Sequence, residues 1–236
     1  FAVRLSEALC IPRGITAFVG GGGKTTAIER LAMELSESCR VLVATTTRIY
    51  PPDLPTLIDP DPDALRAAFL CHPIVAVGSL QGPKLGPPEN LSSLYALSDY
   101  ALIETDGARR LPLKAPAAHE PVIPEGTRLV VAVAGVDGIG RPVSSVHRPE
   151  LYAALIGKPM DALITPKDAA RVLCHSEGQK KGVHSPWQAL INKADSAEQR
   201  VLARACAKEI PGGAVIASLL SDPIFIECWR DGECAS

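Results

Sequence analysis

The chain has 236 residues, 47% hydrophobic and 21% charged, with a formal net charge of −2. That length suits one sizeable α/β domain over residues 1–236, and near-neutrality argues against broad electrostatic binding to nucleic acid. No apolar stretch is long enough to cross a bilayer and none has the form of a signal peptide, so no membrane partner and a cytoplasmic location are expected. The chain opens at Phe1 without a methionine, and a few native residues are expected to precede it. Seven scattered cysteines without a C-x-x-C pair suit reduced thiols better than a disulfide framework. Cys228 and Cys234, close together near the end, read as two unpaired thiols in preference to a metal pair.

Apolar runs alternate with helical spacing along the chain, the pattern of a mostly parallel sheet flanked by helices on both faces. Ile15 to Val19 reads as a short buried strand. Beyond it, Ile28, Leu31, Ala32 and Leu35 fall on one helical face. Between strand and helix, Gly20, Gly21, Gly22 and Gly23 let the backbone turn, so that several N–H groups converge where a helix N-terminus already favours negative charge. Lys24 then reaches the β- and γ-phosphates of a nucleoside triphosphate, GTP or ATP. The Thr25 hydroxyl is placed to ligate Mg²⁺, with Thr26 following in the first turn. The usual G-x-x-x-x-G-K-[ST] pattern would put a glycine at Phe18. What stands is G-G-x-G-K-T-T, the core of loops that read G-K-G-G-x-G-K-T-T. Val19 occupies the place of their extra lysine, so a lysine donated across a dimer is not assumed.

Arg40 to Ala44 forms a second expected strand, ending in Thr45-Thr46-Thr47-Arg48, where open parallel sheets bind ligands and hydroxyls can reach Mg²⁺ or a γ-phosphate. A loop from Pro51 to Pro62, a helix from Asp63 to Leu70, a strand from Ile74 to Val77, a loop from Gly78 to Pro88 and a helix from Leu91 to Leu97 follow. Ala101-Leu102-Ile103 is a buried strand that runs into Glu104-Thr105-Asp106-Gly107. Either Glu104 or Asp106 is the Mg²⁺ partner, since the hard cation prefers oxygen; Asp106-Gly107 is alternatively a γ-phosphate sensor. Ala108 to Pro116 is a stiff basic stretch leading to His119-Glu120-Pro121. In it, Arg109 is a candidate to stabilise transition-state charge or to bind an anionic second substrate, while Arg110 is expected to diverge from it.

The chain stays irregular to Pro124. Further strands are expected at Leu129 to Ala134 and near Ala162–Ile164, Ala189–Ile191 and Val215–Ala217. Helices are expected near Pro149–Ile156, Lys167–Cys174 and Ala197–Glu209. After the strand at 189–191 comes Asn192-Lys193-Ala194-Asp195, the N-K-x-D that reads guanine, with the aspartate accepting from N1–H and the 2-amino group. By average residue usage the three fixed letters recur by chance in about 3% of chains of this size, and placement after a strand lowers that further. Ala217-Ser218-Leu219 is similar to the companion base-binding turn. His147, before a helix opened by Pro149, reads as structural more than catalytic, and no histidine has zinc-site spacing.

Taken in order, the glycine loop, Thr45-Thr46-Thr47-Arg48, the segment Glu104 to Lys114 with His119-Glu120-Pro121, Val146-His147-Arg148-Pro149-Glu150 and Asn192-Lys193-Ala194-Asp195 resemble the YqeC family. Thr105 stands where alanine is expected and Arg48 where histidine is frequent. The resemblance implies a P-loop NTPase fold and a role as an accessory protein that matures a selenium-dependent molybdenum hydroxylase, with that enzyme or another accessory protein as partner. Three readings of the chemistry stand side by side. They are an Mg²⁺-dependent hydrolase of GTP or ATP, a small-molecule kinase acting on a selenium- or pterin-related acceptor, and a nucleotide-dependent binding module with negligible hydrolysis. In the first, Lys24, Asp106 and Arg109 carry the chemistry.

Overall fold

The computed structural model describes residues 3–229 and the backbone of 230 and 233–235. The elements run α1 (Leu5–Ala8), β1 (Gly14–Gly20), α2 (Lys24–Leu35), β2 (Val41–Thr45), β3 (Thr56–Ile58), α3 (Pro62–Cys71), β4 (Ile74–Gln81), β5 (Lys84–Gly86), α4 (Leu91–Tyr95), β6 (Tyr100–Glu104), β7 (Thr127–Gly135), α5 (Pro149–Ile156), α6 (Pro166–Cys174), β8 (Trp187–Asn192), α7 (Ala197–Lys208), β9 (Ala214–Ser218), β10 (Phe225–Arg230) and β11 (Glu233–Ala235). They build one sheet in the order β11-β10-β9-β8-β7-β1-β6-β2-β4-β3, with β5 paired to β4. From β9 to β3 every neighbour is parallel, whereas β10, β11 and β5 pair antiparallel.

Strands covered on both faces are nearly continuous apolar runs, and β2 and β7 are of that kind. Successive residues of β1 serve opposite layers. Ala17 and Val19 pack with Tyr152, Val172 and Ala203 from α5, α6 and α7, while Phe18 packs with Ile28 and Leu31 of α2 and with Leu5 of α1. Helices therefore cover both faces. The mouth of the sheet follows from register: Phe18 and Thr45 both pair with Glu104, so β6 sits between β1 and β2 with its carboxylate at their shared carboxyl end.

The expected strand near Ala162–Ile164 is absent. Only an isolated bridge joins Leu163 to Pro142, and Leu163 is 58% exposed. Pro159 and Pro166 leave that run too short to lay down a ladder. Conversely, the Pro51 to Pro62 loop contains β3, and the Gly78 to Pro88 loop contains the end of β4 and all of β5, which form a hairpin. The antiparallel β10 follows β9, and Cys228 lies on it; the side chain of Cys234 lies outside the described residues.

Candidate functional site

Every chemically suggestive strand end opens at the same edge. The glycine bend leaves β1 with positive φ at Gly20, Gly22 and Gly23. A Cβ at Gly20 would collide with the Val133 carbonyl, and one at Gly22 with the backbone of Gly135, so only glycine fits either position. Among the amides, Gly20 N–H donates to Asp106 Oδ2 (3.1 Å), Gly21 N–H to the Val133 carbonyl (2.9 Å) and Gly22 N–H to the Leu111 carbonyl (3.1 Å). The convergence read from the glycines is thus internally satisfied at three of the four. α2 begins immediately after, with Gly23 in a left-handed conformation and no side-chain cap, so its first-turn amides keep the donor character of a helix N-terminus.

Lys24 is buried, and its ammonium lies 2.5 Å from the Gly20 carbonyl, 2.9 Å from Asp106 Oδ1 and 3.6 Å from Glu104 Oε1. Burial works against that charge, but Asp106 and then Glu104 outweigh it and hold Lys24 above the usual lysine range. Thr25 is exposed and donates its hydroxyl to Glu104 Oε2 at 3.1 Å. Asp106 is fully buried, and its Oδ1, although beside Lys24, accepts no hydrogen bond. Burial, followed by the charges of Asp53 and Glu104, raises the Glu29 carboxyl, and the Thr25 hydroxyl with the Glu104 carboxylate makes a corner of oxygens. No three acidic or other ligating side chains among the described residues close into a metal cage. This all-oxygen corner instead fits a magnesium ion that keeps several waters and takes its remaining ligands from phosphates.

The stretch 107–120 crosses this mouth as a strap. Leu111 and Pro112 carbonyls bond Gly22 and Gly135, and Lys114 anchors the far side. Its side chain is 0% exposed, with the ammonium 2.8 Å from Asp106 Oδ2, 2.7 Å from Glu120 Oε2 and 2.8 Å from the Gly107 carbonyl. Arg148 grips Glu120 with two nitrogens at 2.7 and 2.9 Å. Burial pushes Glu120 up, yet Arg148 and Lys114 hold it at about 2. The Gln179 amide donates to the Lys114 carbonyl, and Lys181 to the carbonyls of Ala117 and Ala118. Arg109 and Arg110 protrude at the strap's outer turn, both exposed and both with positive φ, and they diverge. Arg110 lies over the Tyr50 ring, whereas the charge of Arg109 acts on His147.

Thr45 donates to the Glu104 carbonyl and Thr46 to the Val122 carbonyl, which ties both hydroxyl protons to backbone at this mouth. At the ends of β8 and β9, Asn192 donates to the Gly22 carbonyl at 3.0 Å and ties this corner to the glycine bend. Lys193 pairs with Asp137 at 3.0 Å, and Asp195, exposed, accepts from the Ser218 hydroxyl. Asp137, Gln179, Glu29 and Asp53 belong to no motif in the sequence. For Asp137 a signal existed: a carboxylate just after the apolar run of β7, at the carboxyl edge of the sheet where open parallel sheets place ligands.

Fold and site together define a parallel α/β protein whose sheet mouth brings a glycine bend, a buried lysine and two carboxylates onto adjacent central strands. The chain belongs to the YqeC family: the family model for the YqeC protein matches residues 16–150. A relative described as the uncharacterized protein YqeC of Escherichia coli (strain K12) is 36% identical over 184 residues, covering 72% of this chain and 71% of its own length. The matched family region takes in the glycine bend, the strap and His147 but ends before the N-K-x-D. Among the described residues no helix is long and apolar enough to cross a membrane.

Proposed function

We propose that this protein binds a magnesium-complexed nucleoside triphosphate, GTP in preference to ATP, and hydrolyses it as an accessory factor in maturing a selenium-dependent molybdenum hydroxylase. The observation that carries the nucleotide reading is the meeting of Lys24, Thr25 and Glu104 beside the glycine bend at one sheet mouth. A triphosphate tail is a stronger partner for the Lys24 ammonium than the Gly20 carbonyl, and the uncapped start of α2 adds its amides. Thr25 with Glu104 or Asp106 would hold Mg²⁺, which neutralises phosphate charge when bound. In the reaction a water oxygen bonds to the γ-phosphorus as the bond to the β–γ bridging oxygen breaks, giving the nucleoside diphosphate, inorganic phosphate and a proton. The protein contributes mainly position and electrostatics.

Guanine preference is supported by the Asp195 carboxylate, exposed yet steadied by Ser218, and by Asn192 fixing that corner to Gly22. A phosphate that takes the Gly22 amide also displaces the Leu111 carbonyl. Nucleotide occupancy would thereby move the strap and the surface beyond it, as a partner-controlling role requires. The maturation role itself rests on the family resemblance.

Hydrolysis of GTP and ATP by wild type and Lys24→Ala, with and without candidate acceptors, separates the readings. Acceptor-independent phosphate release from GTP, lost in Lys24→Ala, is expected. Transfer to a small molecule would favour a kinase, a reading to which the exposed Arg109 lends weight, and binding without turnover would leave a nucleotide-dependent module. Calorimetry that detects no Mg·GTP binding overturns the proposal. Asp195→Asn should weaken GTP and favour xanthosine triphosphate; an unchanged preference removes the guanine assignment.

A further inference from the structure

His147 pairs in parallel with Lys114 through an isolated bridge, Ala115 N–H donating to the His147 carbonyl and His147 N–H to that of Leu113. Paired residues of a ladder send their side chains to the same side, so the imidazole shares its side with the Lys114 chain that reaches Asp106. The residue is 9% exposed, yet among the described residues its ring makes no hydrogen bond, and neither ring nitrogen is sealed from solvent.

The surroundings are cationic from three directions. Arg109 comes from the strap's outer turn, Lys114 from its inner end and Arg148 from the start of α5, while the Glu120 carboxylate acts on the ring with the opposite sign. Glu120 is already committed to Lys114 and Arg148, and Lys114 to Asp106, which leaves Arg109 as the cation without an ion-pair or hydrogen-bond partner among the described residues. Burial and then Arg148, Lys114 and Arg109 hold the ring near pKa 4, so it is neutral at pH 7 and free to donate to an anion. Open space lies over Gly107, where an added Cβ would meet nothing within 4 Å.

We propose that Arg109 and His147 form a second anion subsite over Gly107, beside the phosphate mouth, which takes a small phosphate- or carboxylate-bearing substrate. This deepens the nucleotide reading and rests on it only for the subsite's role: an anion here sits next to Asp106, on the side from which an acceptor or a partner's acidic group would approach a γ-phosphate. The guanidinium fork supplies charge and geometry, and the imidazole N–H fixes orientation.

The test is NMR of the histidine ring protons, with His147 assigned by its disappearance in His147→Asn. Inorganic phosphate, and malonate in a parallel arm, are titrated into wild type, Lys24→Ala and Arg109→Ala. The His147 resonance should move on titration in wild type and in Lys24→Ala, with about tenfold weaker binding in Arg109→Ala, and the better of the two probes identifies the anion class. A resonance that does not move, or that moves in Arg109→Ala as in wild type but not in Lys24→Ala, overturns the subsite. Mg·GTP binding measured on the same wild-type sample fails or succeeds separately, so loss of the nucleotide reading is distinguishable from loss of the subsite.

Discussion

Within six residues the strap carries two opposite fates for a cation. At its inner end Lys114 is wholly buried and surrounded by oxygens from Asp106, Glu120 and Gly107. At its outer turn Arg109 and Arg110 stand in solvent without an ion pair among the described residues. Desolvating an ammonium costs several kcal/mol, and only convergent acceptors offset it. At Lys114 those acceptors arrive from just past the end of β6 and from the strap itself, with Arg148 at the start of α5 steadying Glu120; at the turn nothing converges among the described residues. The inner cation belongs to the architecture of the mouth, and the outer pair is left available for ligands.

The comparison breaks first at Lys114. Lys114→Met would leave Asp106 and Glu120 as buried carboxylates each short of a partner, and stability should fall by about 3–5 kcal/mol, measured by urea unfolding. A loss below about 1 kcal/mol would mean that the ammonium is not the keystone described. Next in size is Glu120→Gln, which removes the charge shared by Lys114 and Arg148 and should cost about 2 kcal/mol. Lys114 would still hold Asp106, so the glycine bend should survive. Amide hydrogen exchange at Gly22, whose N–H meets the Leu111 carbonyl, checks that point and should change little.

These contrasts explain what the chain discloses unaided. The glycine bend, α2, the buried strands β6 and β8 and the N-K-x-D corner were legible because each is written locally, as periodicity or spacing within some twelve residues. The strap was not. Lys114, Arg109 and Arg110 are the same kind of letter in one short stretch, and what separates them is contact with Asp106, Glu120 and, beyond them, Arg148. Strands β3 and β5 were hidden in proline- and glycine-rich sequence, because a three-residue edge strand needs only a neighbour's ladder, not a hydrophobic pattern of its own.

A smaller effect sharpens the contrast through pH. Burial and the cations Arg148, Lys114 and Arg109 lower His147 from the ordinary 6.5 to about 4. A depressed folded-state pKa means that the stabilisation is complete above about 6.5 and is lost as pH falls through 4. Glu120, held at about 2 by Arg148 and Lys114 against burial, loses its share only below its ordinary value of 4.5. Between pH 6.5 and 4.5 the imidazole therefore acts without Glu120. Wild type should lose stability across that window, and His147→Asn should flatten the loss; an equal slope in both proteins would show that the ring does not feel those cations.

The smallest expected change is the most discriminating. Arg109→Ala and Arg110→Ala should each shift stability by no more than about 0.5 kcal/mol, since neither side chain has an ion pair to lose. Arg110 gives up only its position 5.7 Å over the exposed Tyr50 ring. Both residues also hold positive φ, a conformation that costs a non-glycine residue of order 1–3 kcal/mol whichever side chain is present, so alanine neither relieves nor worsens it much. If unfolding of either variant matched that of Lys114→Met, the outer turn would have to be bearing on the mouth in the same way as the inner anchor. The division between an architectural and an available cation would then be wrong at its root.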